Sequence, residues 1–193
     1  IDQSIRTVVI PGNHDVLDKD GKIDMTPYTQ HLGKDRFAER IGNAYLIGLN
    51  SNFMKNVEQN SLEEQSQFAW LKKTLKKKHK KDHVIVFLHH PFFLENYGEE
   101  EGYSTLSESI RNKYFSLFDE YGVEFVIAGH LHDNREANHN GIEMVTTSAA
   151  GRQLGTAQPG IRIIQLRKGN ISQQYFTLEQ LPDTRGNVIA SFK

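Results

Sequence analysis

Short apolar runs alternate along this chain with longer stretches whose apolar residues recur every three or four positions. Thr7-Val8-Val9-Ile10 is β-branched and stops at Pro11-Gly12, which predicts a buried strand and a sharp loop. Tyr45 to Leu49 predicts a second strand, closed by Asn50-Ser51-Asn52. Val84 to Leu88 is apolar at every position, as a strand in a sheet covered on both faces would be. Val123 to Ala128 predicts a fourth strand of the same kind. Between these runs Ser61 opens a helix, with Glu64 three residues later as a capping box and Phe68, Leu71 and Leu75 as its buried stripe. Ile110, Tyr114, Leu117, Phe118 and Tyr121 predict a second helix, which Gly122 stops.

The last part of the chain is strand-rich. Met144 to Thr147, Ile161 to Leu166 and Ile171 to Phe176 read as strands, the last two joined into a hairpin by a turn at Lys168-Gly169. No internal repeat, low-complexity stretch or linker interrupts the pattern. The 193 residues therefore read as a single domain, 1–193, of layered α/β type.

Composition narrows the chemistry. A net charge of −1 carries no signature of a nucleic-acid or membrane partner. No apolar run approaches the roughly 18 residues of a membrane span. With no cysteine, a metal must sit on His, Asn, Asp or Glu. The compartment stays open between cytoplasm and export, with the cytoplasm favoured, and nothing in the pattern speaks to oligomeric state. The lysines between Lys72 and Lys81 suit the negative end of their helix and read as a solvated helix end.

Three of the apolar strands end in short polar clusters: Gly12-Asn13-His14-Asp15, His89-His90-Pro91 and Gly129-His130-Leu131-His132. Ligands in open α/β sheets bind beyond the carboxyl ends of strands, so clusters distant in sequence can converge there. Imidazole nitrogen and amide oxygen suit Zn, Mn or Fe, and the glycines would allow positive-φ turns beside the ions. His31, His79, His83 and His139 stand outside these clusters and read as ordinary surface or core residues.

Taken together and in order, these three clusters resemble the later motifs of the calcineurin-like metallophosphoesterase superfamily. Leu49-Asn50-Ser51, Phe92-Phe93-Leu94-Glu95, Gln153-Leu154-Gly155 and Tyr175-Phe176-Thr177-Leu178 are similar to the subgroup described as serine/threonine phosphatases. The resemblance implies an α/β/β/α sandwich with two mixed β-sheets flanked by helices. It implies two divalent or trivalent ions (Mn, Fe or Zn), one on Asn13, His89 and His130, the other on His132. His89 rather than His90 takes the ligand place in the family's His-x-Pro pattern. His14 would face substrate without binding metal, with Asp15 holding its ring, while a metal-bridging hydroxide attacks phosphorus. The substrate would be a phosphate ester, either phosphoprotein or a small molecule.

The family pattern opens with Asp-x-His and Gly-Asp-x-x-Asp, and neither precedes Gly12. The resemblance therefore implies a domain lacking its N-terminal β-α-β portion, with a half-formed metal site and little activity on its own. Asn50, Asn52, Arg152 and Gln153 flank strand-like segments and are candidates for substrate contact. Glu95 and Glu99 to Glu101 read either as an acidic lid favouring basic peptides or as a solvated loop. A phosphodiesterase on the same ligands, and a non-catalytic binding module, stand as alternatives to a phosphomonoesterase.

Overall fold

The structure, a computed structural model, describes residues 5–167 and 169–181. Its centre is a six-stranded mixed sheet of β1 (Phe37–Ile41), β2 (Ala44–Gly48), β3 (His83–Phe87), β4 (Val123–Ala128), β5 (Arg135–His139) and β6 (Ile142–Thr146). The spatial order is β1-β2-β3-β4-β6-β5. β2, β3, β4 and β6 run parallel, and β1 and β5 close the edges antiparallel. All four parallel strands therefore present their carboxyl ends along one rim.

Alternation along each strand sorts the core into two layers. Val84, Val86, Val126 and Met144 face the helices α4 (Ser61–Leu75) and α5 (Glu108–Tyr121). Leu71 and Leu75 of α4 and Tyr114, Phe115 and Phe118 of α5 complete that layer. Ile85, Phe125, Ile127 and Val145 point the other way, against Ile164 and Ile171. Those two belong to a second sheet, the antiparallel pair β7 (Gly160–Arg167) and β8 (Asn170–Thr177). The second sheet is thus a two-stranded hairpin among the described residues, not a mixed one. Gly169 is at φ 82° in its turn, and Lys168 lies outside the described residues.

Short helices fill the connections: α1 (Asn13–Val16), α2 (Thr26–Leu32) and α3 (Ser51–Lys55). Gly122 stops α5 in the left-handed conformation at φ 61°. Gly48 is needed for a different reason: a Cβ there would stand 2.3 Å from the Phe37 ring and 2.7 Å from Ile10.

Three expectations are corrected. Thr7 to Ile10 joins no ladder, and Val8 and Val9 are exposed. The run has the composition of a strand and lies near Phe37 and Leu46, but its backbone pairs with no described strand. The capping box at Ser61 is absent because Asn60 occupies the cap position. Glu64 is instead buried and receives Lys113 Nζ at 2.6 Å. Strands β1 and β5 were not foreseen, since both are polar edge strands.

Candidate metal centre

The rim is built by three turns. β3 runs through Leu88 into His89 and His90, β4 runs into Gly129 and His130, and Gly12 caps the four-residue α1 that begins at Asn13. His89 Nε2 stands 2.9 Å from Asn13 Oδ1 and 3.0 Å from His130 Nδ1. Gly12 packs closely: a Cβ there would lie 3.0 Å from the His89 ring, which would have to give by a few tenths of an ångström. Positive φ is carried by the histidines themselves, His130 at 64° and His132 at 53°. This corrects the expectation that Gly12 and Gly129 would supply it. The left-handed backbone costs a non-glycine residue roughly 1–2 kcal/mol, which the surrounding contacts must offset.

His89, His90 and His130 form one group whose ligand-type atoms lie within 4.8 Å of one another. The hydrogen-bond inventory distinguishes His89 from His90. Ser51 Oγ accepts the backbone N–H of His89 (3.2 Å) and of His90 (2.8 Å), which uses both its lone pairs. Its single proton is then donated to His90 Nδ1 at 2.9 Å. Neutral His90 must carry its own proton on Nε2, so neither nitrogen has a free lone pair. His89 Nε2, by contrast, meets an amide oxygen and another imidazole nitrogen. His90 is thus a buried brace engaged by Ser51, while Asn13 Oδ1, His89 Nε2 and His130 Nδ1 are the polar atoms that meet at the rim.

The rings are held neutral. Burial first, then the neighbouring His130, His132 and His14, pushes His89 down to about 4. Burial, then His89, His130 and Lys55, pushes His90 down to about 2. His130 is lowered by burial, then by His132, Lys55 and His14. Neutral imidazole is the form a metal requires, and a cluster of neutral nitrogen donors around one amide oxygen fits a borderline divalent cation.

The other expected residues divide. His132 Nδ1–H donates to the Arg152 carbonyl at 2.6 Å, since a carbonyl oxygen can only accept. That fixes the tautomer and leaves Nε2 as the lone-pair nitrogen. His14 is exposed on α1, one residue from Asn13. Asp15 does not hold the His14 ring, because adjacent helical residues do not face each other. Its Oδ2 accepts the Gly12 N–H at 2.8 Å instead.

Asn50 and Asn52 are fully buried and correct the expectation of substrate contact. Asn50 Oδ1 accepts the Asn52 N–H at 3.1 Å, and Asn52 Nδ2 donates to the Pro11 carbonyl at 3.2 Å. They tie the Gly12 turn to the end of β2. Gln153 turns its amide to the Ala149 carbonyl of its own loop. Arg152 contributes its carbonyl, while its side chain is exposed. Glu99 is no lid charge: its carboxylate accepts the N–H groups of Leu94, Glu95 and Asn96 at 2.8, 2.9 and 3.2 Å. His139 stacks on Tyr97 at 3.7 Å, and His83 pairs with Glu124 at 2.9 Å, both away from the rim. Ser51 was missed, because its role depends on residues some forty positions away.

The family model described as Calcineurin-like phosphoesterase matches residues 1–134. Serine/threonine-protein phosphatase CPPED1 of Homo sapiens is 32% identical over 186 residues, and that of Bos taurus 31% over 185. Each alignment covers 95% of this chain and 59% of the relative, so the chain spans under two thirds of those proteins. Purple acid phosphatase PPD1 from yellow lupin seeds superposes with a TM-score of 0.61 over 95% of this chain and 39% of its own. At 16% identity that likeness speaks to the fold alone.

Proposed function

This chain belongs to the calcineurin-like phosphoesterase family, and from that premise we propose that it hydrolyses phosphate monoesters with metal ions held at the rim. The observation that carries the reading is the convergence of Asn13 Oδ1 and His130 Nδ1 within hydrogen-bond distance of His89 Nε2. Those three would hold one ion, and His132 Nε2 would contribute to a second. Zn, Mn and Fe all suit this donor set. Such ions neutralise phosphate oxygens and acidify a bound water.

The chain's own residues have separate tasks. Ser51 and His90 fix the His89 turn, and the Arg152 carbonyl orients His132. His14 stands beside the donors on an exposed helix, where it can hydrogen-bond a phosphate oxygen and protonate the departing ester oxygen. The CPPED1 relatives are called serine/threonine-protein phosphatases, which makes phosphoprotein a substrate class for this chain alongside small phosphate esters.

The test is metal analysis combined with turnover of p-nitrophenyl phosphate. His14→Ala should keep its metal content and lose roughly 10²–10⁴ in kcat, the range of a general acid. Metal lost together with activity would make His14 a ligand and overturn its role. Faster turnover of bis(p-nitrophenyl) phosphate than of the monoester would make the site a phosphodiesterase. A protein that takes up no Mn or Zn and turns over neither ester would be a binding module.

A further inference from the structure

The loop that leaves the His89 turn is fastened from below at three points. Glu99 gathers the backbone N–H groups at its start, as described above. Arg111, buried at 1% exposure, donates to the Tyr97 and Glu99 carbonyls at 2.6 Å each. Lys55 Nζ donates to the Gly102 carbonyl at 2.8 Å, the Thr105 carbonyl at 2.6 Å and the Glu101 carboxylate at 3.2 Å. Gly102 N–H also meets Thr105 Oγ1 at 2.9 Å.

Tyr103 lies inside this last clamp, yet it is 79% exposed. The carbonyls of Gly102 and Thr105, which bracket it, are tied to Lys55, so the exposure is imposed by a fastened loop. The ring stands 5.3 Å from the His130 ring, tilted by 38°. Among the described residues His130 is its aromatic partner, and the outer face of the phenol ring is open to water. An aromatic side chain held out beside the His130 ring has an unused π face where the phosphoester reading would bring a substrate.

We propose that Tyr103 is a specificity-determining residue that stacks on the aromatic leaving group of an aryl phosphate, phosphotyrosine being the peptide form. The proposal rests on the phosphoester reading of the same rim. Paired aromatic rings prefer centroid separations of about 4.5–7 Å. A ring bonded directly to the ester oxygen lies close to phosphorus, and phosphorus must sit near the His130 donor. Tyr103, 5.3 Å from that donor's ring, is therefore at stacking range of such a leaving group. A nucleoside base is set back from its phosphate by the ribose and would overshoot. A phosphoserine leaving group has no π face to offer.

The experiment compares the full chain with Tyr103→Ala and Tyr103→Phe on phosphotyrosine peptide, phosphoserine peptide and adenosine monophosphate, with affinity for phenylphosphonate and methylphosphonate measured by calorimetry. Tyr103→Ala should lower kcat/KM for phosphotyrosine roughly two- to tenfold, mainly through KM, the worth of one aromatic pair. Tyr103→Phe should retain it, and phosphoserine turnover should stay within twofold. The preference for phenylphosphonate over methylphosphonate should vanish in Tyr103→Ala. Equal losses on the two peptides, or an unchanged phosphonate preference, would overturn the proposal. A larger loss on adenosine monophosphate would assign the ring to a base and overturn it too. If the unaltered chain hydrolyses none of the three, the phosphoester reading fails, and the phosphonate comparison still decides the role of Tyr103.

Discussion

Ser51→Ala removes one oxygen that serves three groups, and the structure sets the size of the effect. The hydroxyl accepts the His89 and His90 N–H groups and donates to His90 Nδ1, all in a site where Ser51 is 0% exposed. Each stranded buried donor costs about 1–3 kcal/mol, and removing one oxygen opens less space than a water molecule needs. The two backbone donors together predict a loss of about 2–6 kcal/mol. With a urea m-value of about 2 kcal/mol/M, the unfolding midpoint should fall by roughly 1–3 M. The same change loosens the turn that carries His89. Loss of such a supporting contact typically costs about 10–100-fold in metal affinity, so added Mn or Zn should protect the variant less than the parent. Paired urea melts with and without metal measure both effects. Ser109→Ala is the control, since its exposed hydroxyl meets only Ser107 Oγ at 3.1 Å. A Ser51→Ala midpoint matching the control, with undiminished protection by metal, would refute the brace.

Other outcomes follow from the same coordinates. His89 is pushed down to about 4, chiefly by burial, so between pH 6.5 and about 4 the unfolded chain takes up a proton that the fold refuses. Stability without metal should therefore be full above pH 7 and fall through that window, by up to about 1.4 kcal/mol per pH unit for this ring. His90, pushed down to about 2, adds to the same slope; urea melts that stay flat from pH 7 to 5 would contradict it. Lys113→Met strands the Glu64 carboxylate, which is 2% exposed, and should cost about 3–5 kcal/mol. The double variant with Glu64→Gln should recover most of that in the same melts, and a neutral single variant would count against the pairing.

Much of this architecture was legible because its driving force is local. β2, β3, β4 and β6 are apolar runs, and α4 and α5 carry their core residues at helical spacing. His89 and His130 stood out because each follows such a run, and parallel strands deliver their ends to a common rim; Asn13 follows a run of the same composition that joins no ladder. Edge strands escape this logic, since they bury little. β5 reads Arg-Glu-Ala-Asn-His, yet Asn140-Gly141 after it marks a hairpin, with φ of 52° and 84°. Asn50 and Asn52 were misread for the opposite reason. A polar residue beyond a strand can face a cleft or tie two loops, and only the position of Pro11 decides between them. The work of Ser51 and Lys55 is likewise invisible in sequence, because their partners lie 38–50 residues away.

The backbone at His130 and His132 has a consequence for how this protein tolerates change. Both positions sit where glycine would rest without steric penalty. A search for heat-resistant variants that ignored chemistry would be drawn to replace them with glycine, relieving backbone strain in the turn while deleting two imidazoles. Under the proposed function, thermal robustness and catalytic competence would thus pull in opposite directions at these two positions, and a library screened on melting temperature alone would enrich inert proteins.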